Sequence, residues 1–334
     1  MTKKIVFVPF ALLMVTAVAS CGGGETSSIS SIDPDRPKAE IGYAASRRLF
    51  DNYIMANLEF GKAACTDHNI PFLPSFGSPK ELVVPIVTKG EEVNETELQR
   101  RHDVAQRIFF GKAEDTAWQS VKSYYETSSY GRIKFEGEVT PAVYLNESLS
   151  ELETFGYNNM IEEVYDYLFT TTEDHTAPLA GREHDFDSNN DGVLDSMFCV
   201  PNLSIDGSKT MHWAWKTIHY FKTPYAAKKF PQYKNIGVYC WASLQFATRV
   251  PTLKPSSTKP DAHTFIHETG HQFGVNDYYD PSNQGSTYAG GCTMQDLNIC
   301  DHDIYTKYLL GWANPQVYTT KSTEQEVEIT LRPS

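Results

Sequence analysis

The order of strand-like and helix-like segments predicts an α/β (α+β) domain built on a mixed sheet, and three observations carry that reading. Glu81 to Val87 (ELVVPIV) is a continuous apolar run rich in β-branched residues. Ile133, Phe135 and Val139 alternate with Lys134, Glu136 and Glu138, the pattern of a half-buried strand. Met160, Ile161, Val164, Tyr165 and Leu168 form an apolar stripe at helical spacing.

The elements follow in chain order. Glu81–Val87 suits a largely buried strand, although Pro85 argues for an edge or a bulge, because proline cannot donate to a ladder. Asp115–Tyr125 places Trp118, Val121 and Tyr125 on one helical face behind a capping Asp or Thr, and Gly131 ends that segment. The 133–139 strand and the 160–168 helix come next, and then Met197–Pro201 as a short strand. Gln316–Thr320 and Val327–Leu331 are β-prone, as terminal strands or as the opening of a further β-domain. No internal repeat at solenoid or propeller period is present.

The 334 residues suffice for one large domain or two modest ones. A net charge of -13, with no extended Lys/Arg block, argues against nucleic acid as a partner, since nothing would neutralise phosphates. The first twenty residues read as a targeting segment: Lys3 and Lys4 precede an apolar stretch from Ile5 to Ala19 that is short for a membrane span. It runs into Val18-Ala19-Ser20-Cys21, which resembles the lipobox of bacterial lipoproteins, with Cys21 as the lipidated N-terminus and the membrane reached through that lipid. An ordinary secretory signal is the plainer alternative, and both readings export the chain. Five cysteines then remain, Cys65, Cys199, Cys240, Cys292 and Cys300; Cys292 with Cys300 and Cys199 with Cys240 are the candidate disulfides.

The informative stretch is Asp261 to Asp280, DAHTFIHETGHQFGVNDYYD. His267-Glu268-Thr269-Gly270-His271 is an HExxH motif. On a helix, residues four apart lie about 40° from eclipsed and about 6 Å along the axis, so both imidazoles reach one metal. Glu268 beside them is placed to take a proton from a water on that metal. A catalytic zinc needs a third protein ligand. The first later glutamate is Glu324, in a β-like segment, which disfavours a second-helix glutamate. Gly274 and Asp277 extend the motif to HExxHxxGxxD: the glycine permits a reversal and the aspartate supplies a carboxylate oxygen. Met294, after the turn-rich Gly290-Gly291-Cys292-Thr293, suits the floor of such a site.

The sequence resembles the immune inhibitor A family of secreted metallopeptidases. HETGHQFGVNDYYD, Met294-Gln295-Asp296, DHDIYTKYLLGW (Asp301–Trp312), SYGRIKFEGEV (Ser129–Val139) and MHWAWK (Met211–Lys216) carry the likeness, over roughly Glu81 to Pro315. The resemblance implies a metzincin-like catalytic domain with an active-site helix and a Met-containing turn, zinc held through HExxHxxGxxD, and structural calcium. Asn276 departs from it, standing where a proline often precedes the aspartate. The organisation expected is then a signal peptide (1–20), a flexible tether (21–37), an N-terminal segment or short pro-region (38–78), a metallopeptidase domain (79–315) and a terminal β segment (316–334).

A second cluster offers oxygen ligands at Asp187, Asn189, Asp191 and Asp195, with the Val193 carbonyl between, in the manner of a loop wrapping calcium. Phe198 at the twelfth position excludes a regular EF-hand; a calcium site that stiffens the domain is preferred to the plainer alternative of an Asx-rich surface turn. His212 and His219 flank Trp213 and Trp215 and read as packed or surface histidines before cleft residues; His263 and His302 have no ligand role that Asp277 does not fill better. Cys65 is a weak candidate for a thiolate capping zinc in a latent form.

Together these predict an exported zinc metalloendopeptidase of the cell envelope acting on protein or peptide substrates, with Glu268 as general base and Tyr278 or Tyr288 at the oxyanion. The rivals are a catalytically silent, calcium-stabilised surface binding lipoprotein and a zinc hydrolase acting on a non-peptide bond.

Overall fold

The structure is a computed structural model that describes residues 72–155, 158–188, 190, 193–205, 210–220, 235–248, 259–279 and 289–313. The signal peptide, tether, Cys21, Cys65, Asn189, Asp191, Tyr288 and the 316–334 segment lie outside the described residues.

The fold is mixed α/β. In chain order, β1 (Lys80–Val87), α1 (Glu95–Phe110), α2 (Val121–Ser128), β2 (Glu136–Val139) and β3 (Val143–Tyr144) precede α3 (Leu149–Phe155) and α4 (Asn158–Phe169). Next come β4 (Ser196–Pro201), β5 (Trp215–Tyr220), β6 (Asn235–Trp241), α5 (His263–Gln272), α6 (Met294–Leu297) and α7 (Ile304–Leu309). The sheet runs β2-β1-β4-β6-β5, with β3 also paired to β1. Every pairing is parallel except β5 with β6.

Alternation along the central strands builds two cores, one on each face. Leu82, Val84, Ile86, Met197, Cys199 and Trp241 pack beneath Met160, Ile161, Val164 and Leu168 of α4. Val83, Phe198 and Cys240 face the other way, against Ile108 and Phe109 of α1, Tyr125 of α2 and Phe265 and Ile266 of α5. Phe109 meets Phe198 and Phe265 edge-on at centroid distances of 4.8 and 5.6 Å. The result is three layers, helix on sheet on helix, with α5 laid across one sheet face.

Several expectations need correction. Pro85 lies in a central strand, paired with Val200 of β4, and not at an edge. It is tolerated because Val83 and Val87 accept hydrogen bonds from Thr140 and Leu145, so their side of β1 faces β2 and β3. Pro85 shares that side by the two-residue alternation, and its missing N–H falls where β2 has ended and β3 has not begun. The helix expected over 115–125 begins later: Ser120 caps α2, accepting from Ser123 N, and Trp118 lies outside it. Helix α1 was not anticipated; Asn94 caps it and its buried face includes Arg101, which pairs with Glu91 and Glu97. Cys199 and Cys240 sit on adjacent strands but in opposite cores, and both are free thiols, as is Cys292, so neither expected pair is joined.

Candidate metal centre

Helix α5 carries the HExxH segment. Ala262 offers no side-chain cap, and Asp261 Oδ1 accepts from His263 N at 3.0 Å in its place. Phe265 and Ile266 are buried in the core and anchor the helix. Its main chain is pinned from three sides: Tyr125 donates to Ile266 O at 2.6 Å, Cys240 Sγ to Glu268 O at 3.3 Å, and Gln295 Nε2 to His267 O at 3.3 Å. At its C-terminus Gln272 Nε2 reaches Glu81 Oε1 and Met197 O, both at 3.2 Å, tying the helix to β1 and β4.

The reversal after α5 is built as expected from Gly274. That glycine has φ +88°, Gly274 N donates to His271 O and Val275 N to Gly270 O, the paired bonds of a Schellman ending. The chain then returns, and Tyr278 N is fixed on Gln295 O at 2.8 Å. Asp277 is thereby delivered to the helix: its Oδ1 lies 2.9 Å from His267 Nε2 and 3.3 Å from His271 Nε2. Ligand atoms of His267, Glu268 and His271 all fall within 4.8 Å of one another.

The hydrogen-bond chemistry of the rings bears on what this group can hold. His267 Nδ1 is 2.9 Å from Met294 O, and His271 Nδ1 is 2.7 Å from Val275 O. A carbonyl only accepts, so each Nδ1 carries the hydrogen and each neutral ring turns its Nε2 lone pair toward Asp277. Two lone pairs and a carboxylate oxygen converging on one point require a cation there. Their 2.9–3.3 Å separations are near the edge of about 3.3 Å that tetrahedral bonds of about 2.0–2.1 Å produce. Glu268 is buried and its Oε2 has no hydrogen-bond partner among the described residues. The donor set of two imidazoles and a carboxylate, with an orphaned carboxylate beside them, fits zinc.

Without the metal, protons act as the cation. Burial opposes a charge on His267, but the Asp277 carboxylate, the Glu268 charge and the Met294 carbonyl together outweigh it and hold the ring above its usual value. Burial likewise pushes Asp277 up, yet its bonds to the two histidines bring it well below the ordinary carboxylate range. Glu268 is raised, chiefly by burial, with the two histidines partly offsetting the shift.

Other sequence candidates are distributed as follows. Met294 is buried beneath the site and contributes its carbonyl to His267. Tyr278 spends its hydroxyl on Thr306 Oγ1 at 2.6 Å, so it is not the free donor expected. Tyr279, which sequence reasoning passed over, stacks on the His267 ring at 6.2 Å. Burial, then the charges of Asp277 and Glu268, raises its phenol above the ordinary value. Only its neighbour two residues before, Asp277, marked it in the sequence. His263 pairs with Asp261 and stacks on Trp118 at 4.7 Å; His302 is buried among Tyr124, Tyr125 and Trp312. His212 bonds Ser204 O, and the His219 side chain lies outside the described residues.

Of the candidate calcium loop, Asp187 and Asp195 are buried and Val193 is partly so. Asp195 accepts from Ser188 N at 3.0 Å and Lys80 N at 2.8 Å, closing the loop onto β1. Burial, with a contribution from the Asp187 charge, raises Asp195 to about 6. No protein-family model matches this chain, and no curated protein matches it.

Proposed function

We propose that the chain is a zinc metallopeptidase, with zinc held by His267, His271 and Asp277. The observation that carries this reading is the single Asp277 oxygen facing both Nε2 atoms, whose tautomers are set by main-chain carbonyls. When bound, zinc supplies Lewis acidity, acidifying a water and polarising an amide carbonyl. Glu268, buried and raised, accepts the water's proton and passes it to the departing amine. Tyr279, whose hydroxyl is hydrogen-bonded to Asp277 and whose ring stacks on His267, would exchange that bond for one to the developing oxyanion. An extended peptide suits the fold: β5 ends the sheet among the described residues and runs antiparallel to its neighbour.

The domain is read as metzincin-like, in keeping with the resemblance to the immune inhibitor A family. Calcium bound by the Asp187–Asp195 loop would neutralise two buried carboxylates and stiffen the entry to β4. The proposal includes export and anchoring of the protein in the cell envelope through a lipid on Cys21.

The deciding experiment measures zinc content and casein hydrolysis on protein starting near Pro37, with and without phenanthroline. One equivalent of zinc and chelator-sensitive cleavage are expected. Zinc without cleavage of any peptide would favour a silent binding lipoprotein or a hydrolase of another bond. A chain that takes up no zinc would overturn the assignment.

A further inference from the structure

Gly270 stands in the middle of α5, where glycine destabilises a helix relative to alanine. It is not there for backbone freedom, because it does not adopt a positive φ, whereas Gly274 does. It is there for space. A Cβ at position 270 would lie 2.4 Å from Gln295 Oε1 and 2.9 Å from Gln295 Cδ. The Gln295 amide therefore lies flat against the bare helix backbone, wholly buried.

From that seat Gln295 touches both halves of the ligand set. Its Nε2 donates to the carbonyl of His267, on the helix. Its own carbonyl accepts from Tyr278 N, the residue after Asp277 on the return loop. The preceding carbonyl, of Met294, orients the His267 ring. Gln295 Oε1 has no hydrogen-bond partner among the described residues, so what the side chain contributes comes through its donor end and its shape.

We propose that Gln295 is the positioning residue that sets the helix ligands and Asp277 relative to one another, and that position 270 is glycine in order to seat it. The inference rests on the zinc reading and deepens it. His267 and His271 touch Asp277 directly and His271 Nδ1 meets Val275 O; Gln295 adds a further link, from the helix main chain at His267 to the return loop at Tyr278 N through its main-chain carbonyl.

The test measures affinity for zinc alone, by competition with a chromophoric chelator, and the melting midpoint of the metal-free protein. The variants are Gln295→Met, Gln295→Ala, Gly270→Ala and the double Gly270→Ala/Gln295→Ala. Methionine keeps the length of Gln295 and removes the donor; zinc affinity should fall by about 10-fold or more, as for other outer-shell partners. Gly270→Ala should weaken zinc comparably in the wild-type background and cost nothing further in the Gln295→Ala background. There it should raise the metal-free midpoint, since alanine is the better helix former once the clash is gone. Zinc affinity of Gln295→Met within twofold of wild type, or an equal cost of Gly270→Ala in both backgrounds, would overturn the proposal. A wild-type chain that bound no zinc would remove the peptidase reading instead; additive midpoints for the two alanine substitutions would then refute the Gln295 seat on its own.

Discussion

The hydroxyl of Tyr278 lies 2.6 Å from Oγ1 of Thr306, and Thr306 in turn donates to Asp303 Oδ2, the N-cap of α7. A helix residue 28 positions downstream thus holds the loop that carries Asp277, and the proposal gives the two tyrosines after that aspartate separate duties. Tyr278→Phe should cost roughly 1 kcal/mol of stability, the usual net value of a hydrogen bond, and leave kcat within a few fold. Tyr279→Phe should leave folding and zinc content unchanged while lowering kcat by about 100-fold or more, as for loss of an oxyanion donor. Thermal melts and steady-state kinetics on the two variants check this, and a reversed pattern would exchange the roles.

Glu268→Gln keeps the shape of the buried side chain and removes its ability to accept a proton. Turnover should fall by about 100- to 10,000-fold, the range for general acid–base groups, at full zinc occupancy. Because Glu268 is already raised by burial, the neutral amide should be tolerated by the fold and could modestly raise the melting midpoint. Near-wild-type hydrolysis by the zinc-loaded variant would rule Glu268 out as the base.

His302 gives the chain an acid-sensitive point outside the His267–His271–Asp277 group, close enough to feel the His267 charge. Burial holds its ring down at about 4, and neither nitrogen has a hydrogen-bond partner among the described residues. An unfolded histidine titrates near 6.5, so the folded value is depressed. Below about 6.5 the unfolded chain takes a proton that the folded chain refuses until about 4, and stability is lost as the pH falls through that window. The full loss is on the order of 3 kcal/mol. His302→Phe, packed against the same aromatic rings, should match wild type at pH 7 and exceed it at pH 4.5. Urea midpoints on chelated protein at the two pH values test the difference; a constant gap between them would show that His302 does not drive it.

The parts of the site that lie close in sequence were legible before the fold. His267, Glu268, His271, Gly274 and Asp277 are joined by the geometry of one helix and one turn, which spacing alone encodes. What escaped depends on contacts between distant segments. Tyr279 and Gln295 acquire their roles only when the return loop and the Met294 turn close over α5. Helix α1 hid because few apolar residues mark its buried face and a buried arginine interrupts them. Strands β5 and β6 hid because Lys216, His219, Asn235 and Gly237 break the β-prone pattern, while pairing makes up the loss. Trp118 fitted a helical stripe by spacing, yet Ser120 starts the helix after it. Pro85 misled in the opposite direction: the rule that excludes it from central strands assumes a continuous neighbour, and here the neighbour changes from β2 to β3.

Both imidazoles take their aim from peptide oxygens, at Met294 and Val275. Every residue type presents such an oxygen, so substitution at these two positions leaves the aim intact provided the path of the backbone survives. The orientation of the two rings is therefore inherited with the course of the chain, and side chains at positions 294 and 275 are exchangeable as long as contacts such as that of Gln295 with His267 O hold that course.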